Sequence, residues 1–261
     1  LAIAGAAMGI YSNTLNVPFI FDDGMNIVQN EHIRMSEINL KNLYEAGFES
    51  YASNRPVANI SIAINYYFHQ YDLAGYHIVN IIIHIITGLV LFLLIRATVI
   101  LAQKNTSSPG ILEGINPSYV ALFASIIWIV HPLHTQSVTY VVQRMNSMSS
   151  MFFIASMLSY IKGRQAAGKI RWLFFSMSVL SGFLALGSKE IAATLPFFIM
   201  LYEWYFFRDL RMKWRRKQWL WAAGIAIIFL LLALLLIWTY NVQSVLYGYG
   251  IREFTLTQRV L

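Results

Sequence analysis

Long apolar runs separated by short polar ones shape this chain, and their lengths predict helices that cross a bilayer. An apolar stretch ending near Tyr11 reads as the tail of a first helix; Leu1 to Ile10 is shorter than the ~20 residues a span requires. Further spans are expected over residues 75–102, from Asn116-Pro117 to about residue 130, and over 147–161, 172–186, 191–206 and 219–240. Asn116 supplies a cap and Pro117 suits a first helical position. The segment between the first two spans is long and patterned. Ile38, Leu40, Leu43 and Tyr44 fit one face of a short helix, and Val57, Ile60, Ile64 and Tyr67 fit one face of another. Two amphipathic helices lying on the membrane surface are expected there.

Composition sharpens this. Of 261 residues, 57% are hydrophobic and only 12% charged, with mean hydropathy +0.56. A soluble domain carries about 25% charged residues. The fold class is therefore an all-α polytopic membrane bundle with a long external first loop. The net charge of +7 does not point to nucleic acid, because the basic residues gather in short loops between apolar runs. Lys162, Arg164, Lys169 and Arg171 form one such loop. Arg208, Arg211, Lys213, Arg215, Arg216 and Lys217 form another. Both are expected on the cytoplasmic side, as is the Ser-, Gly- and Pro-containing linker 103–116. Counting back, residues 13–72, 131–144, 188–190 and the tail after Asn241 face the opposite side. There is no cysteine, which excludes disulfides, thiol nucleophiles and thiolate metal sites.

Nearly every candidate chemical group falls on that opposite side. Asp22 and Asp23 follow the first apolar segment at the membrane edge, where carboxylates are costly to keep. They could supply a general base or metal ligands; a helix cap or a solvated loop end is the plainer alternative. Arg55, before Pro56, could grip a phosphate or simply snorkel to the interface. His77, Asn80 and His84 share one helical face, either lining a cavity or joining helices. His131 and His134 have a spacing that suits a metal only if a carboxylate joins them; a hydrogen-bonding or phosphate-contacting role fits better. Arg144 runs against the positive-inside trend. Lys189 and Glu190 sit in a tight turn as an internal ion pair, a phosphate site, or both. Glu203 and the aromatic residues at helix ends read as interface anchors, and Tyr247, Tyr249, Arg252 and Glu253 as a cover over the site. Carboxylates and cations on one face suit a reaction at a phosphate-linked substrate. The cations would hold an anionic leaving group and the carboxylate would activate a nucleophile.

The same residues carry a resemblance. Phe21-Asp22-Asp23 with Ile27 and Asn30, Asn54-Arg55-Pro56-Val57 with Asn65-Tyr66-Tyr67, and Tyr76-His77-Ile78-Val79-Asn80 with His84 occur in order. His131-Pro132-Leu133-His134-Thr135-Gln136-Ser137-Val138, Gln143-Arg144, and Ser188-Lys189-Glu190 with Pro196 complete the series. The series resembles the tetratricopeptide-containing transmembrane O-mannosyltransferases, which are similar to GT-C glycosyltransferases. The resemblance implies a polyprenyl- or dolichyl-phosphate sugar as donor, a protein Ser or Thr as acceptor, and inversion at the anomeric carbon. It places the active face on the periplasmic side of a bacterial inner membrane or the lumenal side of the endoplasmic reticulum. Asp22 aligns with the usual catalytic acid, with Asp23 as its neighbour. From charge and side, Arg55, His77, His131, His134, Arg144, Lys189 and Glu190 are candidates for the lipid phosphate. No cofactor is demanded, although Asp22 and Asp23 could hold a divalent metal. Residues 1–261 would form the GT-C-like transmembrane domain of a longer chain, with further helices and tetratricopeptide repeats beyond residue 261. The rival readings are a lipid-linked-sugar transporter or flippase, a non-catalytic membrane scaffold, and a membrane acyltransferase.

Overall fold

A computed structural model describes residues 1–105 and 114–207. Among these the regular elements are all helices and no strand forms. The α-helices are α1 (Ala2–Tyr11), α2 (Leu40–Phe48), α3 (Pro56–His69), α4 (Leu73–Asn105), α5 (Pro117–Ile129), α6 (His134–Thr139), α7 (Arg144–Gln165), α8 (Gly168–Leu186) and α9 (Leu195–Tyr202). Two of the described helices, α4 and α8, are long and apolar enough to cross a membrane, with mean hydropathies of 2.8 and 1.3. The apolar helix α5 is shorter. The expected span 219–240, the basic loop after residue 207, the tail aromatics and most of the 103–116 linker lie outside the described residues.

Helix α4 sets the frame. Its 33 residues reach roughly 50 Å at 1.5 Å per residue. One stripe, Ile78, Ile82, Ile86, Leu89 and Leu93, is exposed on the protein surface. The opposite stripe, His77, Asn80, His84 and Thr87, is buried. The spacing of three and four residues in both is that of a helix with one apolar outer face and one polar inner face. Helices α5 and α7 pack on α4, and α8 packs along α7. Small polar residues join the last pair: the Ser156 hydroxyl donates to the Ser178 carbonyl at 2.7 Å and Ser178 returns the bond at 2.9 Å. Such exchanges let helix backbones approach closely without an apolar driving force.

Two expectations change. The segment 191–206 is not one regular helix. It runs as a 3₁₀ segment Glu190–Thr194, then α9, then a π-turn Glu203–Phe207. Pro196 is the reason: without an N–H it fits only the first turn of a new helix, so α9 starts at Leu195. Glu203 is not simply an anchor. It accepts from Arg164 at 2.7 and 3.0 Å and from the Tyr160 hydroxyl at 2.9 Å, clamping the end of α7 to the end of α9. The two short helices expected in the first loop form as α2 and α3, and most of their large apolar residues are exposed on the protein surface. In α3 the buried side is Ala58, Asn59, Ile62, Ala63 and Asn65, while Ile64, Tyr67 and Phe68 stay exposed. In α2 Ala46 and Gly47 are buried while Leu40, Tyr44 and Phe48 face outward. Small residues win the inner side because α2 and α3 lie close: a Cβ on Gly47 would stand 3.2 Å from Ile60 Cδ1.

Candidate functional site

The Asp22-Asp23 turn hangs on the segment that joins α6 to α7. Asp23 is fully buried. Its Oδ2 accepts the Ile20 N–H at 3.0 Å and its Oδ1 accepts the Val142 N–H at 2.7 Å. Burial pushes this carboxyl above the usual aspartate range, against the pull of those two N–H groups and of nearby His77. Asp22 is exposed. Its N–H donates to the Tyr140 hydroxyl at 2.8 Å. Between Ile20 and Asp22, Phe21 adopts φ +45, a left-handed conformation that costs a bulky residue roughly 1–2 kcal/mol. The Asp23 clamp and Tyr140 hold the turn in that state.

The two neighbouring aspartates thus differ in kind. Asp23 fastens the turn and Asp22 is presented by it. Ile27 and Asn30 continue the fastening. Ile27 lies in the apolar cluster with Tyr76, Tyr140 and Met145, and Asn30 donates to the Ser50 hydroxyl at 3.0 Å.

A second cluster forms where α3 starts. Arg55 Nε lies 3.2 Å from Glu190 Oε1, and Asn54 Nδ2 donates to the same oxygen. Lys189 lies close enough to feel both charges. Burial, and then Arg55, lower its ammonium below the usual lysine range, partly offset by Glu190. Its Nζ makes no hydrogen bond or ion pair among the described residues. The backbone brings these parts together: the Val57 N–H donates to the Gly187 carbonyl at 2.9 Å. Gly187 is required at that crossing, since a Cβ there would meet Val57 Cγ2 at 2.7 Å. Two cations and one carboxylate leave a net charge of +1. The two clusters share a support, because Val142 binds Asp23 and Met145, three residues later, touches Arg55 through its sulfur at 3.5 Å.

Arg144 belongs to neither cluster. It is fully buried. Nε donates to Asn80 Oδ1 at 2.7 Å, one terminal nitrogen to Asn65 Oδ1 at 2.7 Å and the Tyr76 carbonyl at 3.0 Å, and the other to the Ser61 carbonyl at 3.3 Å. These bonds tie α3, α4 and α7 together, and no surface is left for a phosphate to approach. Asn80 passes the network on to the carbonyls of Val138 and Val141. His77 is buried too, with Nε2 on the Val17 carbonyl at 2.9 Å. His131 is exposed. His134 lies against Trp128 with ring centres 4.2 Å apart and planes tilted by 51°, beside His84, which stacks on the same indole and is bound to the Ile129 carbonyl at 3.0 Å. Burial, then His131, lower the His134 imidazole below the usual histidine range. Among the described residues no three His, Asp or Glu side chains gather as a metal would need.

Sequence patterning missed Tyr140. It lies between the His131–Val138 and Gln143-Arg144 motifs as an ordinary aromatic, and only the fold reveals its contact with Asp22.

Relatives among known proteins match this geometry's sequence. Over 209 residues, 77% of this chain and 21% of the relative, it is 29% identical to human protein O-mannosyl-transferase TMTC3. It is 30% identical to Drosophila melanogaster protein O-mannosyl-transferase Tmtc3 over 230 residues, 81% of the chain and 24% of the relative. Human protein O-mannosyl-transferase TMTC2 matches at 27% over 256 residues, 91% of the chain and 28% of the relative. No protein-family model and no solved structure matches. The chain spans about a quarter of the length of these relatives. The resemblance carried by the motifs is thus homology over most of this chain.

Proposed function

We propose that this homologue of the protein O-mannosyl-transferases is the membrane glycosyl-transfer part of such an enzyme. It would move a sugar from a polyprenyl- or dolichyl-phosphate carrier to a Ser or Thr hydroxyl of a protein on the extracytoplasmic face. The observation that carries this reading is one exposed carboxylate on a locked turn whose support also touches a net-positive cluster. Asp22 takes the proton of the acceptor hydroxyl. The oxygen attacks the sugar C1, the C1–O bond to phosphate breaks, and the electron pair leaves with the lipid phosphate. Attack from the face opposite the phosphate inverts C1, as in GT-C enzymes. Arg55 and Lys189 stabilise the departing charge, and Glu190 holds Arg55 in place. Asp23 and Arg144 serve the scaffold. The exposed apolar faces of α2 and α3 lie against the bilayer surface, and the outer stripe of α4 and most of α8 face lipid. The name of the relatives makes mannose the first donor to test.

The test is a transfer assay with the full-length protein in proteoliposomes and a panel of polyprenyl-phosphate sugars. Asp22→Asn is expected to lower transfer by about 10²–10⁴-fold, the usual worth of a general base, with unchanged thermal unfolding. Full transfer by Asp22→Asn would overturn the assignment. Carriage of labelled lipid-linked sugar across the bilayer without transfer would establish the transporter reading instead.

A further inference from the structure

From across the fold, Asp22 and Asp23 are held by one segment, residues 140–142. Asp23 grips the Val142 N–H, which fixes where the turn sits. The peptide that ends at Asp22 is held at both its ends: the Gly24 N–H donates to the Phe21 carbonyl at 3.1 Å within the turn, and the Asp22 N–H donates to the Tyr140 hydroxyl at 2.8 Å. The Tyr140 ring also meets Phe21 edge-on, 6.2 Å between centres and 73° between planes, while Phe21 itself is 85% exposed. The Tyr140 ring is anchored in turn, packed among Ile27, Met145 and their neighbours.

We propose that Tyr140 is a positioning residue for Asp22: its hydroxyl holds the backbone N–H of that aspartate and so sets the direction in which its side chain leaves the turn, where an acceptor hydroxyl approaches. The proposal rests on the reading of Asp22 as general base. Without the hydroxyl, the Asp22 peptide loses that partner and the side chain samples unproductive orientations.

Tyr140→Phe keeps the ring and its packing and removes only the hydroxyl. The full-length protein, its Tyr140→Phe and Asp22→Asn variants, polyprenyl-phosphate mannose and a Ser/Thr-rich acceptor peptide are combined in proteoliposomes. The expected result for Tyr140→Phe is a kcat about two- to tenfold lower, the worth of a neutral hydrogen bond. KM for the lipid-linked sugar and the unfolding temperature are expected to stay the same. If Tyr140→Phe keeps wild-type kcat while Asp22→Asn is inactive, the positioning role is overturned and the base assignment stands. Full activity of Asp22→Asn overturns the base assignment itself. A lower kcat accompanied by a raised KM and a lower unfolding temperature makes Tyr140 purely structural, which also overturns the proposal.

Discussion

Arg55 and Arg144 are both arginines in the same ordered motif series, yet the fold spends them differently. Arg144 is fully buried and gives four hydrogen bonds to protein oxygens on α3 and α4. Arg55 keeps 29% of its side chain exposed and pairs with Glu190, which keeps 37%. A buried charge without partners is strongly unfavourable, so Arg144 must be saturated by its own protein. An exposed pair contributes only about 0–1 kcal/mol to stability, so Arg55 and Lys189 stand there at little structural benefit. Cations kept where they stabilise little are the better candidates for binding.

The largest effect should break the buried side of this comparison. Arg144→Met leaves the Asn65 and Asn80 side-chain oxygens and two carbonyls without their donor. The cost is expected to be about 2–6 kcal/mol, from two buried asparagine oxygens left unsatisfied at about 1–3 kcal/mol each. Thermal unfolding in detergent would show it, and transfer would fall only in proportion to the folded fraction. An Arg144→Met protein that melts normally but has lost its affinity for the sugar carrier would return Arg144 to the phosphate site.

The open side should behave in the opposite way. Arg55→Ala and Lys189→Ala are expected to raise KM for the lipid-linked sugar about tenfold each, the loss of one charge-assisted contact. Their unfolding free energies should stay within about 1 kcal/mol of wild type. Equal donor affinity in both variants would separate the cluster from the substrate phosphate.

Much of this division was legible in the sequence, and its limits have physical causes. The helical spacing of His77, Asn80 and His84 correctly placed them on one face, because a 3.6-residue period survives any tertiary context. The tight turn at Lys189 and Glu190 suggested a pair internal to it, but Glu190 binds Arg55 instead, because the start of α3 is held against Gly187. The fate of Arg144 did not, because a charge that violates the topology trend reads the same whether it meets a ligand or a buried asparagine pair. His131 and His134 were drawn toward the site by side alone, and in the fold His134 packs on Trp128 and His84 while the His131 ring meets that of His134. Asp22 and Asp23 were indistinguishable by type, and only the N–H groups of Ile20 and Val142 separate them. The two short loop helices were legible from their large residues, whereas the inner side was not, because close approach of α2 and α3 selects Ala and Gly there.

The smallest effect concerns the charge balance within the open cluster. Burial and the neighbouring Arg55 lower the Lys189 ammonium below the usual lysine range, while Glu190 raises it. The cation that would bind phosphate is therefore present at neutral pH and is lost on the alkaline side earlier than for an ordinary lysine. Removing the Glu190 charge removes the one raising influence, so the lysine of Glu190→Gln should give up its proton at still lower pH. Affinity for the lipid-linked sugar, measured as KM against pH, should then weaken at a lower pH in Glu190→Gln than in the wild type, while at neutral pH the two remain within a few-fold. Arg55 stays charged throughout, so binding should weaken on the alkaline side without vanishing. An alkaline limb that moves upward, or not at all, would mean that Lys189 does not meet the phosphate and that Arg55 carries the leaving group alone.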